Sequence, residues 1–96
     1  MKKKDKLTDD EMTDEEILKD REKKYGTPKR CFETWSGMCT LLNTYANEAN
    51  TNNPEHLYAL KMALLKIVRS VWNPDIEDNY KDGRNYITIA KEVKHD

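Results

Sequence analysis

Residues 54–72 read PEHLYALKMALLKIVRSVW, the most apolar stretch of the chain. Within it Leu57, Leu60, Ala63, Leu64, Ile67, Val68 and Val71 recur at three- and four-residue steps. That spacing lays them along one stripe of a helix and predicts that the helix ends near Trp72. Asn53-Pro54 stands before the stretch as an N-cap followed by a first helical residue, where proline's missing amide hydrogen costs nothing. Lys66 and Arg69 interrupt the apolar run well short of the ~18–20 residues that a bilayer crossing needs, so this is a core helix and not a membrane span.

The segments on either side repeat the pattern. Upstream, Thr27-Pro28 opens a second helix on which Phe32, Trp35, Met38, Cys39, Leu42, Tyr45, Ala46 and Ala49 share one face, expected to be core. The polar run Asn50-Thr51-Asn52-Asn53 closes that helix. Downstream, Asn73-Pro74 stops the third helix and is expected to cap a fourth, in which Ile76, Tyr80, Gly83, Tyr86, Ile87, Ala90 and Val93 keep the period. Near the start, Thr8 with Glu11 and Thr13 with Glu16 both have the Thr-x-x-Glu spacing of a capping box, so a first helix should begin at one of them; from Thr13 it would run to about Lys24, with Gly26 just past its end. Its apolar face is thin, little more than Ile17, Leu18 and Tyr25, so it should clip onto a core made elsewhere. No segment alternates with period two. The expected fold is all-α, a small antiparallel bundle of about four helices, with residues 1–12 a flexible charged segment and 13–96 a single helical domain.

Composition sets the limits. The chain has 96 residues, 36% of them hydrophobic and 36% charged. Leu, Ile, Val and Phe together number 17, a share that in a chain of high net charge would point to disorder. The 17 basic and 18 acidic residues balance to −1, however, and two Trp and five Tyr add large buriable surfaces. The first 24 residues hold few apolar side chains and dilute the average. A pI near 6.1 gives no global field for nucleic acid. Asp9, Asp10 and Glu11 stand where the apolar part of a signal peptide would begin, and Cys31 and Cys39 would lie ~12 Å apart on one helix, too far for a disulfide. Both features predict a protein of the cytoplasm, with free thiols.

Polar groups that could converge are densest in DIEDNYKDGRNY, residues 75–86. Asp78 and Asp82 are four apart, one turn on a helix face, and can present two carboxylates to Mg²⁺ when a phosphate ligand shares the site. Across the Asn73-Pro74 turn, Lys66 and Arg69 can face them, with Arg69 the fork for phosphate or carboxylate and Lys66 the point charge. The same four residues can equally form a solvated or ion-paired seam that only holds two helices together. Gly83, in a helix interior, costs about 1 kcal/mol relative to Ala, which points to close approach of another helix or room for a ligand. His56 and His95 do not form a metal set, and no nucleophilic triad, glycine-rich phosphate loop or Cys-x-x-Cys pair occurs.

The order of these pieces carries a resemblance. Arg21-Glu22-Lys23-Lys24-Tyr25-Gly26, then Lys66-x-x-Arg69, then Asp78-Asn79-x-x-Asp82-Gly83-x-x-Tyr86 resemble a family of small phage and prophage proteins of unknown function. The pattern also looks like nucleotide-modification-associated phage domains and, more distantly, the all-α nucleoside-triphosphate pyrophosphatases of the MazG type. The resemblance implies a phage accessory protein in the host bacterial cytoplasm. It implies that Lys66, Arg69, Asp78, Asn79, Asp82, Tyr86 and Tyr25 bind a nucleotide or other phosphorylated small molecule, with Asp78 and Asp82 as ligands of any Mg²⁺. The pyrophosphatases use two acidic pairs on different helices. Here the second helix offers only Glu33 and Glu48, fifteen apart, and the third only Glu55. Three readings follow: a phosphate-binding accessory protein, a Mg²⁺-dependent nucleotide pyrophosphohydrolase, and a non-catalytic interaction module forming a homo-oligomer, in the simplest case a dimer.

Overall fold

The computed structural model describes residues 12–51 and 53–95, and the segment expected to be flexible lies almost wholly outside them. Four helices follow in order: α1 (Asp14–Tyr25), α2 (Pro28–Ala49), α3 (Pro54–Trp72) and α4 (Glu77–Glu92). No strand occurs among the described residues. Each of the first three starts is chemically marked. At α1 the capping box closes both ways: Glu16 N donates to Thr13 Oγ1 at 3.1 Å, and Thr13 N donates to the Glu16 carboxylate at 2.9 Å. Thr27 caps α2 and Asn53 caps α3, each followed by proline at the first helical position.

The fourth start differs from expectation. Asn73 closes α3 instead of opening α4, and its Oδ1 accepts from Asp75 N at 3.1 Å in a tight polar turn. That bond gives the turn a local alternative to helix, so α4 begins only at Glu77, behind Ile76, which has no side-chain cap. Acidic Glu77 and Asp78 in the first turn complement the exposed amides there instead.

Helices α3 and α4 form an antiparallel hairpin tied at both ends. At the open end Asn53 Nδ2 donates to the Val93 carbonyl at 3.0 Å, and His56 Nδ1 lies 2.8 Å from the Ala90 carbonyl. At the turn, the Tyr80 hydroxyl donates to the Pro74 carbonyl at 2.7 Å. Small residues let the two axes close: Ala59, Ala63 and Ala90 are buried, and a Cβ built on Gly83 would sit 3.6 Å from Lys66 Cβ. Helix α2 packs against α3, where Trp35 Nε1 donates to the Lys61 carbonyl at 2.6 Å. Helix α1 touches α2 and α3 near the Gly26–Trp72 contact.

The α2 stripe does not form one continuous core. Ala46 is buried and Trp35, Cys39 and Leu42 are half-buried, but Phe32, Met38 and Tyr45 are exposed. The same division affects α3, where Ile67 and Val71 face outward, and α4, where Tyr80 and Ile87 do. The buried apolar set among the described residues is four alanines and Leu65, and no large side chain is fully enclosed. The physical reason is geometric. Helices α2 and α4 make next to no contact with each other, so α3 lies between them and is otherwise covered only in part, by α1. Cys31 and Cys39 are free thiols, both half-buried.

Candidate functional site

The α3–α4 crevice gathers part of the set picked out by spacing. Lys66 Nζ lies 3.5 Å from Asp82 Oδ2, with the Lys66 side chain only 14% exposed and Asp82 46%. Antiparallel packing makes this meeting inevitable once Asn53 and Val93 are in register at the far end. The lysine stem lies along apolar neighbours while its ammonium reaches the crevice, the usual disposition of a long cationic side chain at a core edge. At 3.5 Å the pair is an ion contact longer than a charge-assisted hydrogen bond, and its half-exposed carboxylate keeps it weak.

Asn79, one turn before Asp82's neighbour Gly83, is 4% exposed, the most buried polar residue described. Its Nδ2 has no hydrogen-bond partner. An amide donor held away from water without an acceptor costs ~1–3 kcal/mol, so this nitrogen is a place where a ligand oxygen would relieve an existing penalty. Asn79 and Lys66 both line a groove of about 640 Å³ between α3 and α4, whose other walls include Ala63, Ile67, Val71, Tyr80, Arg84 and Ile87.

The other predicted residues fall elsewhere. Asp78 is exposed, while Arg69 and Tyr86 are half-buried, and none of the three lines the groove. Asp82 does not line it either; it borders the crevice from the opposite side. The Tyr25 side chain lies outside the described residues. Arg84 and Tyr80 line the groove without having been singled out as binding residues by their spacing.

For a metal the donors are few. Among the described residues no three His, Cys, Asp or Glu side chains converge. Asp78 and Asp82 would supply two carboxylates at most, and Asp82 is already in contact with the Lys66 ammonium. This set does not form a Mg²⁺ cage by itself; the cation would draw its remaining ligands from water and a phosphate.

The described helices span nearly the same residues as a recognised domain. The chain belongs to the DUF6378 family. The match is to a domain of unknown function and covers residues 11–94, from just before α1 to just beyond α4. No curated protein and no solved structure matches the chain. The DUF6378 domain is thus all four helices taken together, with the Lys66–Asp82 contact and Asn79 at its centre. No helix of this DUF6378 chain is long and apolar enough, among the described residues, to cross a membrane.

Proposed function

We propose that this DUF6378 protein binds a phosphorylated small molecule, a nucleotide being the leading class, in the crevice between α3 and α4. The observation that carries the reading is Asn79 Nδ2, a buried donor without an acceptor, on a groove that Lys66 also lines. A phosphate oxygen would accept from the amide and be neutralised by the lysine, with Arg84, which lines the same groove from α4, as a further donor. Asp82 would then exchange Lys66 for the ligand's counter-cation, which is where Mg²⁺ enters, shared with Asp78. The resemblance to phage nucleotide-modification domains supports a phage accessory role in the bacterial cytoplasm.

Calorimetric titration with inorganic phosphate, pyrophosphate and the common nucleoside and deoxynucleoside triphosphates, with and without Mg²⁺, tests this. Binding that falls at least ~10-fold in both Lys66→Met and Asn79→Leu supports the crevice, since each removes one charge-assisted or buried bond. Saturable binding unaffected by either substitution, or none at all, defeats the reading. Release of pyrophosphate during the same titrations would promote the protein to a pyrophosphohydrolase of the MazG-like class.

A second reading is favoured by a separate observation, the exposure of large apolar side chains on all of α2, α3 and α4. It takes the chain to work as a homo-oligomer, with or without a ligand.

A further inference from the structure

Because α2 and α4 flank α3 on two sides without meeting, the three helices make one layer, and a single layer has broad faces that it cannot bury by itself. On one of them, three stripes run side by side at the same helical step. They are Met38, Leu41 and Tyr45 on α2; Leu60, Leu64, Ile67 and Val71 on α3; and Tyr80 and Ile87 on α4. Seven of these nine are exposed: Leu41 and Tyr45 at 70%, Val71 at 81%, with Met38, Ile67, Tyr80 and Ile87 between 38% and 54%. Of the other exposed large hydrophobics, Leu18 is on α1 and Trp72 ends α3, while Phe32, Tyr58 and Ile89 fall on the opposite side of their helices from these stripes.

The surface has relief as well as apolarity. Ile67 and Val71 line the groove against α4 and also a second groove, of about 950 Å³, against α1 and α2. They are therefore a ridge with a trough on each side. Charged groups flank the ridge: Lys19, Glu22, Lys23 and Arg30 on one side and Lys66 and Arg84 on the other. An apolar centre with a polar rim is the anatomy of a protein interface.

We propose that this face docks a second copy of the same chain, α3 against α3 across a two-fold axis, with the Ile67–Val71 ridge of each copy seated in the α3–α4 trough of the other. Self-association needs one patch that carries both the projection and its complement, and here they are adjacent on one helix. The patch is large: fully exposed, these seven side chains present at most roughly 850 Å², more than the ~300–600 Å² of the largest patch on an ordinary monomer and of the order of the ~800 Å² per partner of a standard interface. A formal net charge of −1 puts little repulsion between copies. The docking fills the same α3–α4 groove that Lys66 and Asn79 line, so the dimer and a ligand in that groove exclude each other. It specifies the homo-oligomeric reading above.

Sedimentation velocity of the full chain from micromolar to sub-millimolar concentration gives the test. The wild type is expected at twice 11.3 kDa. Val71→Glu and Ile67→Glu are expected to weaken the dimer at least ~100-fold with unchanged helical circular dichroism, because both side chains are already exposed in the single chain. Ile89→Glu, on the opposite face, is expected to leave the dimer intact. Hydrogen exchange of the wild type at low and high concentration needs no variant: slower exchange at high concentration should centre on residues 60–71 and 80–87. A wild type that stays monomeric throughout overturns both this inference and the homo-oligomeric reading. A dimer lost in Ile89→Glu but kept in Val71→Glu, or protection centred away from those residues, overturns the face assigned here and leaves the oligomer standing.

Discussion

The Trp35 indole donates to the backbone carbonyl of Lys61 at 2.6 Å, a side chain of α2 bonded to the main chain of α3 across 26 residues of sequence. The carbonyl lies within a helix, so the bond is additional to the helical ladder and fixes how far α2 can slide along its neighbour. Trp35→Phe keeps the ring and loses the donor, and should cost about 1 kcal/mol in a urea unfolding titration. Trp35→Ala also removes half-buried ring area and should cost about 2–3 kcal/mol.

The three glycines should respond to alanine with different signs. Gly26 has φ of +79°, and a Cβ there would lie 3.1 Å from the Trp72 ring, so Gly26→Ala should destabilise by roughly 1–2 kcal/mol. Gly37 lies inside α2 with nothing within 4 Å, and Gly37→Ala should stabilise by about 0.5–1 kcal/mol through helix propensity. At Gly83 the 3.6 Å distance to Lys66 Cβ is ordinary contact, so Gly83→Ala should also be neutral to stabilising, by up to about 1 kcal/mol. Thermal unfolding of the three variants at one protein concentration checks the order.

Asn53 has two duties. Its Oδ1 accepts from His56 N at 3.1 Å as the cap of α3, and its Nδ2 donates to Val93 O at the end of α4. Asn53→Asp keeps the cap and breaks the tie, whereas Asn53→Ala loses both. The expected losses are about 1 and about 2 kcal/mol respectively, read from chemical denaturation.

Burial pushes the Cys39 thiol above its ordinary pKa of 9.0, with nearby Lys61 opposing the shift in part. The thiolate is therefore scarcer in the folded chain than in the unfolded one. As pH rises through the unfolded thiol's pKa the unfolded state releases its proton first, so stability is flat below about pH 8 and declines above about pH 9. Alkylation at mildly alkaline pH, followed by mass spectrometry, should show Cys39 reacting more slowly in the native protein than in urea. Cys39→Ser should remove its share of the alkaline decline.

The starts of three helices were legible because their chemistry is local. Thr13 with Glu16, Thr27-Pro28 and Asn53-Pro54 each satisfy amides within one turn, so four residues carry the whole signal. Asn73-Pro74 has the same letters and a different outcome, because Asn73 Oδ1 found the Asp75 amide first. Periodicity located the apolar stripes but could not tell what covers them. Ile67 and Ile87 keep helical step with Ala63 and Ala90, and a sequence does not distinguish a face buried within the chain from one left outside. At the crevice, spacing brought Lys66 and Asp82 together correctly. Asn79 was singled out through its place in a motif; its burial was not legible, because it sits in a run of charged letters and is enclosed only by the close approach of α3.

The bonds that close the α3–α4 hairpin at both ends carry a consequence for how the molecule opens. Asn53 and His56 at one end and Tyr80 at the other make the pair a cooperative unit, while α1 is held by a thin apolar strip and its contact with Trp72. Local opening should therefore proceed from the amino-terminal side inward. α1 detaches first, α2 next by losing Trp35, and the hairpin persists as the last structured foldon. Limited proteolysis would then accumulate a fragment beginning in the α2–α3 connection and retaining everything from Asn53 to Val93.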